Sequence, residues 1–331
     1  MEYITLAHGS GGRLSRHLIE SLIAKHLGNP YLDQMNDAAI LPSQHKIALT
    51  TDSFVISPLF FRGGDIGKLA VCGTVNDLTV SGAIPEYLTL ALILEEGLAI
   101  ADLERIIVSI AATARQARVR IVCGDTKVVE RGNADKIYIN TAGIGFLRTD
   151  VPVSPAQVKP GDVILINGTI GDHGIAVLAD REGLEFETPV CSDCAPLNIL
   201  VDQFFGPGVK CMRDPTRGGV GTILNEIARQ ADVGMILYEE SLPVHPAVVG
   251  ACDMLGLELL HLANEGKVLV IASPESADEI LARMRGHELG RQAAKIGVVR
   301  AEDAGRVVMQ TALSAKRIVG MLEGEHLPRI C

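Results

Sequence analysis

Tryptophan is absent from this 331-residue chain and aromatic residues make up only 4% of it, so its core must be built from aliphatic side chains. No apolar run approaches the roughly 20 residues that span a bilayer. Met1-Glu2-Tyr3 does not open a basic signal segment either, so the cytoplasm is the expected location. Basic residues are outnumbered, 30 Lys and Arg against 40 Asp and Glu, for a net charge of −10. Such a chain is expected to bind neither nucleic acid nor an anionic membrane, because both need a positive field. Seven scattered cysteines, an odd number, do not form a disulfide framework, and the thiols are expected to be reduced. Two nucleotide signatures are missing as well. Gly67-Lys68-Leu69 and Gly266-Lys267-Val268 lack the upstream glycine and the Ser/Thr of a P-loop, and there is no dinucleotide fingerprint. Cys191-Ser192-Asp193-Cys194 has no second pair to complete a zinc site, so it reads as loop cysteines with metal binding left open.

What is present is 47% hydrophobic residues and 34 glycines, the composition of an α/β (α+β) fold with tight turns and close backbone approaches. The length predicts two domains. Helical spacing predicts a helix over 13–27, and Gly63-Gly64-Asp65 should cap a second, small-residue helix running to about Gly82. Strands are expected at Ile47–Ser53, Tyr87–Leu94, Val119–Cys123 and Lys136–Phe146, with a helix over 102–117. Thr149 to Gly161 holds three prolines and no apolar period, which makes it the expected boundary between a domain of residues 1–150 and one of residues 151–319. In the second domain, strands are expected at 163–166, 268–272, 294–299 and 307–310, and helices at 222–230 and 274–285. Residues 320–331 read as a flexible tail.

Chemistry is suggested at three places. Asp37, Asp52, Asp77 and Asp125 fall at expected strand ends or on the small-residue helix, and Asp214 opens a glycine-rich helix start. Hard carboxylate oxygens in such positions suit Mg²⁺ shared with nucleotide phosphates, although any one of them could be a cap or turn residue. The loop His8-Gly9-Ser10-Gly11-Gly12 offers bare amides that could wrap an anion, with Gly11 and Gly12 closest to the first helix. The last residue, Cys331, carries a thiol that a tail of roughly 35 Å could deliver end-on into a pocket. Its own carboxylate disfavours the thiolate, so Cys331 is read as an acceptor, with Arg329 able to offset that charge.

Thr50-Thr51-Asp52-Ser53-Phe54, Gly63-Gly64-Asp65-Ile66-Gly67, Val75-Asn76-Asp77-Leu78, Cys123-Gly124-Asp125-Thr126-Lys127-Val128-Val129, Arg213-Asp214-Pro215-Thr216-Arg217-Gly218-Gly219 and Pro328-Arg329-Ile330-Cys331 together resemble the HypE family of hydrogenase maturation factors. These are carbamoyl dehydratases of the PurM-like superfamily, which also holds aminoimidazole ribonucleotide synthetase, selenophosphate synthetase and thiamine-monophosphate kinase. The resemblance spans nearly the whole chain, and its last motif separates this family from the others. It implies a PurM-like two-domain fold whose N-terminal strands form a dimer sheet or barrel, followed by a C-terminal α/β sandwich. It implies ATP and Mg²⁺ as cofactors, with Asp37, Asp52, Asp77 and Asp125 around the metal. It also implies a homodimer, the carbamoyltransferase HypF as donor of a carboxamide to Cys331, and the HypC-HypD complex as recipient of cyanide bound for [NiFe] hydrogenase iron. ATP would dehydrate the carboxamide to a thiocyanate.

That reaction needs a base, for which Glu265 in Asn264-Glu265-Gly266-Lys267 is the first choice and His173 the second, and a charge stabiliser, for which Lys127 is the choice. Each could instead be an ordinary surface or turn residue. The nearest rivals are a small-molecule kinase or a selenophosphate synthetase, although the latter should carry a reactive residue in the N-terminal loop and the first cysteine here is Cys72. A nucleotide-gated scaffold without chemistry is the rival of another kind.

Overall fold

The computed structural model describes residues 12–18, 20, 39–41, 46–148, 153–184, 189–324, 327 and 329–331. Asp37, Gly11, His8 and Ser10 lie outside them, as does most of the stretch expected to be helical after Leu18.

Two sheets carry the chain. The first has five strands in the order β1-β2-β7-β5-β6: β1 Ala39–Leu41, β2 Ile47–Phe54, β5 Ala83–Glu95, β6 Arg120–Val129 and β7 Ile137–Leu147. A separate two-stranded hairpin, β3 Phe60–Phe61 with β4 Gly64–Asp65, lies between them in sequence. Among the described strands of this sheet β5 and β6 pair parallel, while β2, β7 and β5 are antiparallel neighbours. One face of this sheet is covered by helix α2, Ile66–Val80, which is itself covered by α3, Ile100–Gln116. After the short α1, Arg13–Leu18, α2 is the central helix of the first half. Asp65 caps it, its carboxylate accepting from the amides of Gly67 and Lys68 at 2.8 and 3.1 Å. Thirteen of its fifteen residues are buried, as expected of a helix without a polar stripe. A Cβ on Gly67 would lie 2.7 Å from the Ile106 carbonyl oxygen, so glycine is what allows α3 to cross there.

The second sheet runs β14-β13-β10-β12-β8-β11-β9, with β8 Val163–Ile166, β9 Val209–Arg213, β10 Gly234–Tyr238, β11 Leu269–Ala272, β12 Ala294–Arg300, β13 Val307–Gln310 and β14 Lys316–Val319. Its central strands are apolar on both faces because both are covered. Leu165, Val270 and Met212 pack against α5, Asn198–Phe204, and α8, Pro274–Arg285. Ile164, Ile166 and Ile271 pack beneath α6, Gly219–Ala231. Two further α-helices among the described residues are α4, Asp172–Glu182, and α7, Pro246–Leu255. No helix among the described residues is long and apolar enough to cross a membrane.

Asn76 of α2 ties the halves together. Its amide donates to the carbonyls of Ala195 and Glu265 at 3.1 and 3.3 Å, and its oxygen accepts from the Leu197 amide at 2.8 Å. The sequence reading did not anticipate β9, β10, β14, α5 or α7, and it ended β6 at Cys123, whereas the strand continues through the Gly124–Lys127 motif to Val129.

Candidate active site

Thr50, Thr51 and Asp52 of β2, Gly73 and Asp77 of α2, Asp214, Thr216 and Arg217 of the loop before α6, Ile223 of α6, Glu265 and Cys331 line one cleft between the two halves. β2 brings Asp52 there by strand alternation. Ala48, Thr50, Asp52 and Phe54 face α2, and the residues between them face the other way. Gly73 lets helix and strand come close, since a Cβ would sit 2.9 Å from the Phe54 ring and 3.4 Å from Asp52 Oδ2. Asp77 accepts from Thr50 Oγ1 at 2.8 Å. Burial pushes Asp52 above the usual carboxylate range, with Arg217 and the Ser53 amide opposing.

Cys331 is not free in solvent. It is 8% exposed, and Arg217 Nη1 donates to its sulfur at 3.4 Å. Burial pushes the thiol up to about 12, against the pull of Arg217 and with Glu265 and Asp52 adding, so the thiol is the resting form at neutral pH. The tail is held by its carbonyls. Ser57 N and Arg181 Nη2 donate to Arg329 O at 3.3 and 2.7 Å, His173 Nε2 to Ile330 O at 2.8 Å, and Val55 N to Cys331 O at 3.2 Å. Arg329, expected to offset charge at Cys331, is turned away instead, donating to Val55 O and pairing with Asp135. Arg217 takes that place.

Glu265 is 3% exposed, and its Oε1 has no hydrogen-bond partner among the described residues. Burial first, then the neighbouring Cys194, Asp193, Asp52 and Asp214, hold its carboxyl well above the usual range. The carboxylate of Asp193 accepts the amides of Glu265 and Gly266 at 3.0 and 3.2 Å and pairs with Lys267 Nζ at 3.0 Å. Burial opposes ionisation of Asp193, but Lys267 first, and then the Glu265 amide, outweigh it and keep the carboxyl below its ordinary value. His173, the second choice of base, has both ring nitrogens committed, to Ser192 Oγ and Ile330 O at 2.8 Å each.

Asp125 and Lys127 are not in this cleft. The register aligns Asp125 with Ala91, Asn140 and Ser53 across the sheet, so their side chains share the face opposite Asp52. Three strand spacings, about 14 Å, separate β6 from β2. The two residues are exposed and pair with each other at 2.8 Å. Gly12 sits at the base of the tail instead of in the cleft lining, where a Cβ would meet Leu322 O at 2.3 Å. No three His, Cys, Asp or Glu side chains form a ready-made metal cluster among the described residues. Cys191 is exposed while Cys194 is buried beside Cys72.

Residues 35–147 match the N-terminal domain of AIR synthase related proteins, and residues 159–310 match their C-terminal domain. The carbamoyl dehydratase HypE of Cupriavidus necator is 49% identical over 99% of this chain and 95% of that protein. The chain belongs to the HypE carbamoyl dehydratase family. A HypE-HypF complex matches it at a TM-score of 0.88 and 50% identity, covering 92% of this chain and 99% of that one. HypE in complex with ATP matches at 0.84 and 48%, covering 99% and 100%. The PurM-like α/β fold expected from the sequence motifs is thereby shown.

Arg217, Asp193, Lys267 and Arg181 received no role from the sequence. Arg217 lay inside a quoted motif. Asp193 was masked by the cysteines on either side, which direct attention to metal.

Proposed function

We propose that this chain dehydrates a carboxamide carried on the Cys331 sulfur to a thiocyanate at the expense of ATP. The observation that carries the reading is the burial of Cys331 in one cleft with Asp52, Asp77, Asp214, Arg217 and Glu265. HypF, seen in complex with a HypE relative, would load the thiol. Transfer of the ATP γ-phosphoryl to the amide oxygen turns a poor leaving group into phosphate. Loss of both nitrogen protons with that phosphate then leaves S–C≡N, so carboxamide and ATP become thiocyanate, ADP and phosphate. The cyanide is passed on, through a HypC-HypD complex, to the iron of [NiFe] hydrogenase.

The buried thiol is no autonomous nucleophile, which suits a residue that receives its cargo from a partner. Glu265, whose carboxyl is held above its ordinary value by burial and in part by Asp52 and Asp214, gives up its proton more readily once charge on those two is neutralised, and can then act as the base. Arg217, beside the sulfur, is placed to stabilise charge developing at the amide. Asp52 and Asp77 offer hard oxygens in the cleft, a donor set that fits Mg²⁺ sharing its remaining positions with phosphate and water. When bound, the ion would neutralise charge on the phosphates. Asp37 is proposed as a further ligand on sequence grounds.

Two copies would pair through the uncovered face of the first sheet, where Leu49, Ile93 and Ile144 are about 40% exposed. Asp125 and Lys127 share that face, which points them toward a neighbouring copy; sedimentation of the chain and of Ile93→Asp tests the dimer. The cytoplasm, where the free cysteines stay reduced, is the proposed location.

Mass spectrometry of peptide 317–331 after incubation with HypF, its carbamoyl donor and ATP tests the chemistry. The expected product is the carbamoylated Cys331 peptide less one water. A Cys331→Ala chain that still supplied cyanide would overturn the assignment.

A further inference from the structure

The seat of the tail is built by the loop that also holds Glu265. Ser192 N donates to Arg62 O at 2.8 Å, and a Cβ on Gly63 would lie 2.6 Å from Ser192 O, so this loop is docked tightly against the hairpin turn. Ser192 Oγ accepts from the Cys194 amide at 3.1 Å and lies 2.8 Å from His173 Nδ1. The Ile330 carbonyl can only accept, so His173 carries its proton on Nε2 and Nδ1 must accept from the serine hydroxyl. One directional chain results, from Cys194 N–H through Ser192 O–H and the imidazole to the peptide that precedes Cys331. His173 is fully buried, its ring edge-on to Phe61 at 5.5 Å, and burial holds it below its ordinary value and therefore neutral. The next residue of the same loop, Asp193, fixes the amides of Glu265 and Gly266.

We infer that Ser192 and His173 are positioning residues for the dehydration, a relay that fixes the Ile330 carbonyl and so sets the Cys331 sulfur opposite the Glu265 carboxyl. The contacts engage main-chain carbonyls and leave the thiol untouched, which lets the seat accept the tail with or without cargo on its sulfur. Asp193 makes the Ser192-Asp193 loop a common brace for both reacting groups, so the Cys191–Cys194 motif serves geometry instead of metal. The inference rests on Cys331 as the reacting residue, but its first readout is independent of turnover.

The test measures alkylation of Cys331 by iodoacetamide in the full-length protein, read on the 317–331 peptide, with buried Cys252 in the same digest as the control for general loosening. Removing one buried hydrogen bond should open the seat about three- to tenfold. Ser192→Ala and His173→Ala should therefore raise the Cys331 rate by that factor while Cys252 is unchanged and nucleotide affinity is retained. His173→Gln, whose amide can donate to Ile330, should return most of the protection. Single-turnover dehydration should fall by a similar factor in the alanine variants and recover in the glutamine variant. Equal rises at Cys331 and Cys252, or an unchanged Cys331 rate in a folded Ser192→Ala chain, would overturn the relay. Altered alkylation with no dehydration in the wild type would keep the relay and reject the chemistry.

Discussion

The guanidinium of Arg217 donates to the sulfur of Cys331 at 3.4 Å, so the residue proposed to carry the cargo rests against a fixed positive charge inside its own cleft. Arg217 is the main influence lowering the thiol against burial. Replacing it by Gln should move the thiol above its present value of about 12. Cys331 alkylation, followed against pH, should then shift to higher pH. Dehydration should slow about 10- to 100-fold, the scale of one lost charge-assisted contact. An unchanged alkylation profile would show that Arg217 does not govern the sulfur.

Glu265 gives a pH signature. Its carboxyl is held well above the usual 4.5 by burial and then by neighbouring negative charge. The folded protein therefore keeps a proton that the unfolded chain has lost, and stability falls as pH climbs above that value, by at most about 1.4 kcal/mol per pH unit from this group. Glu265→Gln removes the group. The difference in unfolding free energy between variant and wild type should grow in the variant's favour from pH 4.5 toward neutrality, measured by urea titration. Dehydration should fall by about 10²–10⁴-fold, the range of general-base catalysis. Parallel stability curves would rule out a proton held by Glu265 at rest.

How far the sequence can be read depends on where a residue's role is decided. Asp65 capping α2 and Asp52 on the α2 face of its strand follow from local rules, an Asx cap and a period of two. The apolar run at β8 is legible for the same reason. Asp125 shows where this ends. Its motif reads like that of Asp52, but whether it joins the cleft depends on strand order and register, which put it three strands away on the opposite face. β9, Val-Lys-Cys-Met-Arg, and β14, Lys-Arg-Ile-Val, carry too many charges for a pattern search; their strand state comes from pairing with neighbours. Arg217 and Asp193 gain meaning only from Cys331 and Glu265, residues distant in the chain.

Asp77 separates binding from chemistry. Asp77→Asn keeps an oxygen for the Thr50 hydroxyl, which donates to it at 2.8 Å, so the helix-strand contact survives while a negative charge is lost. Mg²⁺-dependent ATP affinity should fall about 10- to 100-fold in titration calorimetry, with the thermal midpoint little changed. Equal affinity in variant and wild type would remove Asp77 from the phosphate-metal site.

The buried pair Asp193–Lys267, at 3.0 Å with side chains 4% and 9% exposed, ties stability to activity in a way that can be split. Removing either partner alone leaves an unpaired buried charge, so Asp193→Leu or Lys267→Met should each cost about 3–5 kcal/mol in urea unfolding. Combining them removes both charges, and an apolar pair of similar volume should recover most of that loss. Catalysis should not recover with it. The amides of Glu265 and Gly266 lose their acceptor in the double variant, and the Glu265 carboxyl is then no longer held opposite the thiol. A stable double variant with slow single-turnover dehydration is the expected result; one with wild-type dehydration would mean that Glu265 is positioned by the rest of the fold and that Asp193 contributes only to folding.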